Sequence, residues 1–282
     1  MAQRDRKIIG VSMLTLDIPF HRELRAGVER AAGQAGLDVV VTDSHCRASD
    51  QATHVAAHVA ARDVDALLVT PCDPVAVGGA IEQANRAALP VFTVDIASAG
   101  GRGKVVTHVG SDNVEGGRMA GKLMVEALGG RGTVLMVMNP GIASMLDRIR
   151  GFREVMAASR GVLVIGEIPV FGRPREESAT LIGEMLGRAP VNGIFCCNDE
   201  FAMGAVAAVE AAHRAGKVTI VGFDGTDEAR QAIRAGRIHA DVVQQPGRMA
   251  ELAVGAIRDH LAGEPVPPRI VAELTTYTAA DA

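Results

Sequence analysis

Tryptophan is absent from this chain, tyrosine occurs once and phenylalanine seven times in 282 residues. A phenylalanine outside a core-like run therefore stands out as a candidate for ligand contact. Cysteine is sparse, and none of the spacings among Cys46, Cys72, Cys196 and Cys197 matches a metal knuckle or a redox pair. Adjacent Cys196 and Cys197 would point to opposite faces of a strand, which argues against their pairing; all four read as small buried hydrophobes. No apolar run reaches the ~18 residues that a spanning helix needs. The stretch from Met1 to Lys7 is polar and leads straight into a strand pattern, so neither a membrane anchor nor a signal peptide is expected in it. No block of like charges occurs and the net charge is -4, which leaves no broad cationic face for a phosphate backbone. Nucleic acid is not an expected partner.

What is present is an ordinary globular balance, 48% hydrophobic and 22% charged residues, enough to bury a real core. The length suits two lobes of modest size better than one domain. Short β-branched runs alternate with Ala-rich helical stretches from end to end, the pattern of parallel sheets with helices on both faces, so the fold class is α/β. The first half reads as strands at Ile8 to Ser12, Val39 to Thr42, Ala66 to Thr70, Val91 to Val94 and Val105 to Val109, with helices starting near Phe20, Asp50 and Pro74. After a helix from Asn113 to Leu128 the plan repeats, with strands at Thr133 to Met138, Val162 to Ile168, Gly193 to Cys197, Val218 to Gly222 and Asp241 to Val243. Strands tend to end in polar or small residues, as at Thr15 to Asp17, Asp95, Asn198-Asp199 and Asp224-Gly225-Thr226. In open α/β sheets these carboxyl ends line the ligand crevice.

Several constellations have the residue types that chemistry needs. Gly116 to Leu123 has the spacing of a phosphate loop, but Leu123 stands where Ser or Thr should ligate magnesium, and the segment lies in a helical pattern. His54 and His58 would share a helix face, but Val55 replaces the glutamate of a metalloprotease helix and no third ligand is in evidence, so both read as surface histidines. No Gly-x-Ser-x-Gly elbow occurs. Asp95 and Asp224, one from each half, suit acid–base work or ligand hydrogen bonding. With no nucleophile or cofactor loop beside them, binding is favoured, and neither an enzyme, a cofactor nor a metal is expected.

Thr15-Leu16-Asp17-Ile18-Pro19-Phe20 after the first strand resembles the opening of ribose-binding proteins in the periplasmic-binding-protein type I family. Ser111-Asp112-Asn113 with Gly116-Gly117, Arg148 with Gly151-Phe152, Asn198-Asp199-Glu200 with Gly204-Ala205, and Gly222-Phe223-Asp224-Gly225 look like that family's landmarks, in its order. The resemblance runs from about Lys7 to about Thr276. It implies two Rossmann-like lobes joined by a three-strand hinge, crossing near Ser111-Asp112, Gln244-Gln245 and Val271-Ala272. The expected lobes are 1–111 plus 245–270 and 112–244 plus 271–282.

The same resemblance implies a sugar between the lobes, its C–H faces on aromatic rings and its hydroxyls on carboxylates and amides, which respectively accept and both give and accept. Carried over position by position, Phe20 and Phe171 are the stacking rings, Asp95 and Asp224 the carboxylates, and Asn198 and Gln244 the amides. The plainer roles are local packing for Phe171, a cap before the helix Thr226 to Ala235 for Asp224, and a cap for Asn198. The sequence departs from the ribose receptor at Ile18, Ile96 and Leu146, which fall where it carries an asparagine and two arginines, and at His21, which falls where it has a second aromatic. An unpaired hydroxyl buried against an aliphatic wall costs about 1–3 kcal/mol, so the expected ligand is a deoxy sugar, a short polyol, or a branched or modified pentose, with ribose itself disfavoured.

Such a receptor closes by hinge motion, performs no chemistry and delivers its ligand to an ABC transporter permease. It is expected to be a monomer in the periplasm or another extracytoplasmic space. One rival is the effector domain of a lac-repressor-type regulator, which would need a helix-turn-helix reader where only Met1 to Lys7 precede the first strand. Another is an enzyme on the same scaffold, since fold does not fix function.

Overall fold

The computed structural model describes residues 6–281; Ala282 and most of the polar opening, Met1 to Asp5, lie outside the described residues. In chain order the elements are β1 (Ile8–Met13), α1 (Pro19–Gln34), β2 (Asp38–Asp43), α2 (Ala48–Ala61), β3 (Ala66–Val69), α3 (Val77–Arg86), β4 (Val91–Val94), β5 (Val105–Ser111) and α4 (Asn113–Ala127). They continue as β6 (Gly132–Met138), α5 (Ala143–Ala158), β7 (Val162–Pro169), α6 (Pro174–Arg188), β8 (Gly193–Cys196), α7 (Asp199–Ala211), β9 (Thr219–Asp224) and α8 (Asp227–Arg234). The last are β10 (Ala240–Val243), α9 (Pro246–Leu261), β11 (Arg269–Ala272) and β12 (Thr275–Thr278).

The chain forms two compact units, Met1–Ser111 with Gln245–Ala272, and Asp112–Gln244 with Glu273–Ala282. Pairing of Val271 with Gly110 and of Ala272 with Ser111 completes β11 of the first unit. The final crossing therefore lies two residues beyond the boundary at residue 270 that the resemblance implies.

The first unit holds a parallel six-stranded sheet in the order β2-β1-β3-β4-β5-β11. Its central strands are buried on both faces, which is why they read as unbroken apolar runs. Within β3 the alternation is visible: Leu68 joins the layer containing Ile9, Phe92 and helices α1 and α9, whereas Leu67 and Val69 join Val55, Val77 and Ile81 of α2 and α3. The third helix starts at Val77 and not near Pro74, because the Asp73 carboxylate accepts the N–H groups of Val75 and Ala76 at 2.8 Å each and holds that segment in a turn.

The second unit repeats the order as β7-β6-β8-β9-β10-β12, with β12 antiparallel to β10. Its core centres on the rings of Phe152 and Phe195, stacked 4.4 Å apart. Asp112, Asn198 and Thr226 cap α4, α7 and α8 by accepting the N–H groups of Glu115, Phe201 and Ala229. Proline at the first turn opens α1, α6 and α9.

The glycines that mimic a phosphate loop lie inside α4, where they permit close helix contact. A Cβ on Gly117 would collide with the Arg148 carbonyl, and one on Gly151 with the Val114 carbonyl, so α4 and α5 approach backbone to backbone. Gly151→Ala is expected to destabilise the second unit toward the upper end of the ~1–3 kcal/mol range for overpacking, because backbone cannot yield as a side chain can. Calorimetry should register a fall of several degrees in Tm; an unchanged Tm would contradict the tight crossing.

Candidate functional site

In open sheets of this strand order, ligands bind outside the carboxyl edge where the order reverses. That point lies between β1 and β3 in the first unit and between β6 and β8 in the second.

On the first unit's edge, the loop after β1 is held from three sides. Asp43 accepts the Leu16 N–H at 3.1 Å, Thr15 accepts the Asp17 N–H at 3.1 Å, and Arg22 donates to the carbonyls of Leu16 and Asp17 at 3.0 and 2.7 Å. These bonds place half-buried Ile18 immediately before α1. Phe20 lies in the first turn of α1, not in the loop, and is 7% exposed. Its ring stands edge-on to that of His21 at 5.6 Å. Buried His21 meets Asp95 through Nε2 to Oδ2 at 3.3 Å, while its Nδ1 is buried without a hydrogen-bond partner. Ile96 follows Asp95 and is half-buried. Burial holds His108, in the neighbouring strand, down at about 4, so its ring is neutral at pH 7 and adds no countercharge behind Asp95.

On the second unit's edge the organising residue is Arg148, which the periodicity of α5 places on the same buried stripe as Met145, Ile149 and Phe152. Its Nε donates to Asn113 Oδ1 at 2.8 Å, and its Nη1 to the Cys197 carbonyl at 2.6 Å and to Asp224 Oδ1 at 3.4 Å. The guanidinium lies 3.7 Å over the Phe223 ring. Gln244, buried at the end of β10, donates from Nε2 to the same Asp224 oxygen at 2.7 Å. Asp224 is thus oriented by one cation and one amide. It does not cap α8, since Thr226 has that role. Asn198 does cap α7, its Oδ1 accepting the Phe201 N–H at 2.9 Å.

Phe171 is 68% exposed in the loop after β7, where Glu177 accepts the N–H groups of Phe171 and Gly172 at 3.4 and 2.8 Å. Leu146 is 45% exposed on α5. Within the second unit, Asn198, Asp224 and Gln244 lie at the ends of the adjacent strands β8, β9 and β10.

Asp95 and Asp224 share a backbone feature. They end β4 and β9, the corresponding strands of the two sheets, and both have positive φ, 67° and 124°. Most of the other described non-glycine residues with positive φ close helices or lie in loops. Positive φ is costly outside glycine, and such residues cluster where a side chain must be aimed.

The region of the periplasmic binding protein domain is matched over residues 9–265. The chain belongs to the periplasmic binding protein family. This binding protein is 34% identical to the ribose import binding protein RbsB of Haemophilus influenzae, over 94% of its own length and 89% of the relative's. It is also 34% identical to RbsB of Bacillus subtilis, over 96% and 87%. Among solved structures, it matches an ABC transporter periplasmic solute-binding protein from Actinobacillus succinogenes with bound D-allose at TM-score 0.92 and 26% identity, covering 98% of this chain and 99% of that one. The Caulobacter myo-inositol binding protein bound to myo-inositol matches at TM-score 0.90 and 29% identity, covering 99% and 95%.

Other features carry little local signal in the sequence. Asp199 and Asp241 are both buried, and Asp199 Oδ2 accepts the Thr226 N–H at 2.7 Å, bracing the turn that follows Asp224. The two carboxyls act on one another in this buried setting, and Asp199 Oδ1 and both Asp241 oxygens lack a well-formed hydrogen bond. Burial first, and then the Asp199 charge, push Asp241 well above the usual carboxylate range; burial also raises Asp199. An aspartate inside the otherwise apolar run Ala240–Val243 was the available signal. His58, expected at the surface, is buried and bonded through Nδ1 to Asp63 at 2.9 Å. Cys196 and Cys197 are buried, but Cys46 is exposed and Cys72 only partly covered, which corrects the uniform reading of the cysteines. No helix among the described residues is long and apolar enough to cross a membrane.

Proposed function

We propose that this chain is a solute-binding protein that captures a small carbohydrate-like ligand, a pentose, deoxy sugar or short polyol, and delivers it to an ABC transporter permease without chemical change. The observation that carries the reading is the pair Asp95 and Asp224, set at corresponding strand ends with the same unusual backbone sign and aimed by His21 on one unit and by Arg148 and Gln244 on the other. Carboxylates so restrained are acceptors of fixed direction, suited to neutral ligands with several hydroxyls. In this proposal Phe20 and Phe171 pack on the ligand's C–H faces, Asn198 and Gln244 add amide contacts, and Ile18, Ile96, Leu146 and His21 supply a wall poorer in donors. Binding shifts the population toward the ligand-bound conformation, which the permease recognises. An extracytoplasmic location and a monomeric state follow from that role.

A dye-based thermal-shift panel of pentoses, deoxy sugars, tetritols and other polyols, with nucleosides and purines as controls, tests this. A ligand at a hundredfold excess over its Kd adds about 2.7 kcal/mol, or several degrees in Tm. A selective shift with one small polyhydroxylated compound is expected. A shift from purines or nucleosides alone would favour a regulator-type effector domain. D-ribose is expected to bind more weakly than micromolar, because each hydroxyl left against Ile18, Ile96 or Leu146 costs about 1–3 kcal/mol; a micromolar or tighter Kd in titration calorimetry would overturn that specificity.

A further inference from the structure

Cys46 and Cys72 are 26 positions apart in sequence, yet both are tied to one atom. The loops after β2 and β3 flank the end of β1 on opposite sides, and both turn over it to the Leu14 carbonyl. That oxygen accepts the Cys46 N–H at 2.8 Å and the Cys72 thiol at 3.7 Å. Cys46 has φ 59°, which folds its loop back over the strand end, and its thiol is turned toward Thr15. The Cys72 thiol is turned toward Ser44, two residues before Cys46. Burial, and next the charge of its neighbour Cys46, push Cys72 up to about 11. Neither the ligand reading nor the fold makes use of this pair.

We propose that Cys46 and Cys72 form a disulfide in an oxidising compartment, and that this bond adjusts the β1 loop. Exposed Cys46 reacts first: its thiolate attacks a small-molecule or protein disulfide, forming a mixed disulfide and releasing one thiol. The Cys72 thiolate then attacks the Cys46 sulfur and releases the second thiol. Overall two cysteine thiols lose two electrons and two protons, and one disulfide oxidant becomes two thiols. Both thiols sit above the usual range through burial, so the reaction is slow and the bond suits a lasting structural link more than a rapidly cycling one. Cross-linking removes the Cys72 S–H donor from the Leu14 carbonyl, where the loop that leads to Ile18 and to Phe20 of α1 begins. It also ties together the two loops that flank this segment. The consequence for ligand affinity rests on the function proposed above; the cross-link itself does not.

The experiment treats the reduced, folded chain with oxidised glutathione, quenches with acid and alkylates under denaturing conditions. Two alkylated thiols are expected, Cys196 and Cys197, which burial protects. A non-reducing tryptic map is expected to contain peptides 31–47 and 63–86 joined, with the mass of two hydrogens lost. Cys72→Ser, which keeps a hydroxyl donor for Leu14, should instead trap a glutathione adduct on Cys46 and give no joined peptide. The oxidised wild type should melt several degrees above the reduced form, with no such difference in Cys72→Ser. Four free thiols after oxidation, or separate glutathione adducts on Cys46 and Cys72 without a joined peptide, would overturn the pairing whatever the ligand proves to be. A joined peptide with unchanged sugar affinity would retain the disulfide and refute only its effect on the loop.

Discussion

Asp224→Ala is expected to weaken sugar binding by roughly two to four powers of ten while leaving the chain folded. Its carboxylate is asked to accept two ligand hydroxyls, and hydrogen bonds to a charged group are worth about 1.5–3 kcal/mol each. Their joint loss weakens binding by roughly two to four powers of ten. The fold should tolerate the change, because Arg148 keeps the Cys197 carbonyl and Asn113 as partners and its stacking on Phe223. Asp224→Asn provides the control, since it retains the side-chain volume and part of the hydrogen bonding and should bind with intermediate affinity. Calorimetric titration with the best compound from the thermal panel, alongside a circular-dichroism melt, separates the outcomes. Wild-type affinity in Asp224→Ala would place the ligand elsewhere.

The second large effect concerns the buried acid pair behind that carboxylate. Burial raises Asp241 above its unfolded value near 4, so the folded chain binds a proton that the unfolded chain has released. The sign follows from linkage: this contribution favours folding at low pH and diminishes as pH rises from about 4 toward the folded-state value. Asp241→Asn removes the titration and leaves an amide to donate to Asp199. The variant is expected to match the wild type near pH 5. At pH 8 it should be more stable by about 1–3 kcal/mol, the usual cost of a buried polar group without a partner, or several degrees in Tm. Parallel melts from pH 5 to pH 9 give the comparison, and a Tm difference that does not grow with pH would refute the raised Asp241 titration. Other charged groups near the pair do not reverse this sign: Asp224 from β9 acts in the same direction as Asp199 on Asp241.

The architecture was legible because buried parallel strands leave an unmistakable trace. Runs such as Ala66–Val69 and Val91–Val94 are buried on both faces, and the polar residue after each marks the ligand edge. The short edge strands β11 and β12 left no such trace. Arg269–Ala272 and Thr275–Thr278 are four residues each, half of them exposed, and depend on pairing with β5 and β10. The candidate site was legible only in part, for the same physical reason. Asp95 and Asp224 stand at strand ends where local pattern points to them. Arg148, in contrast, gains its meaning from Asp224, 76 positions away, and Asp241 gains its meaning from Asp199; neither partnership has a local signature. His58 was misplaced because Ala-rich α2 carries only weak periodicity, so its buried face is poorly marked.

The most direct test of the central claim is titration calorimetry of the wild-type protein with the carbohydrate that most raises its Tm. One-to-one binding at micromolar Kd or tighter, strongly weakened in Asp224→Ala, is the expected result. The absence of heat with every pentose, deoxy sugar and polyol in the panel, in a protein that melts cooperatively, would contradict a carbohydrate-binding role.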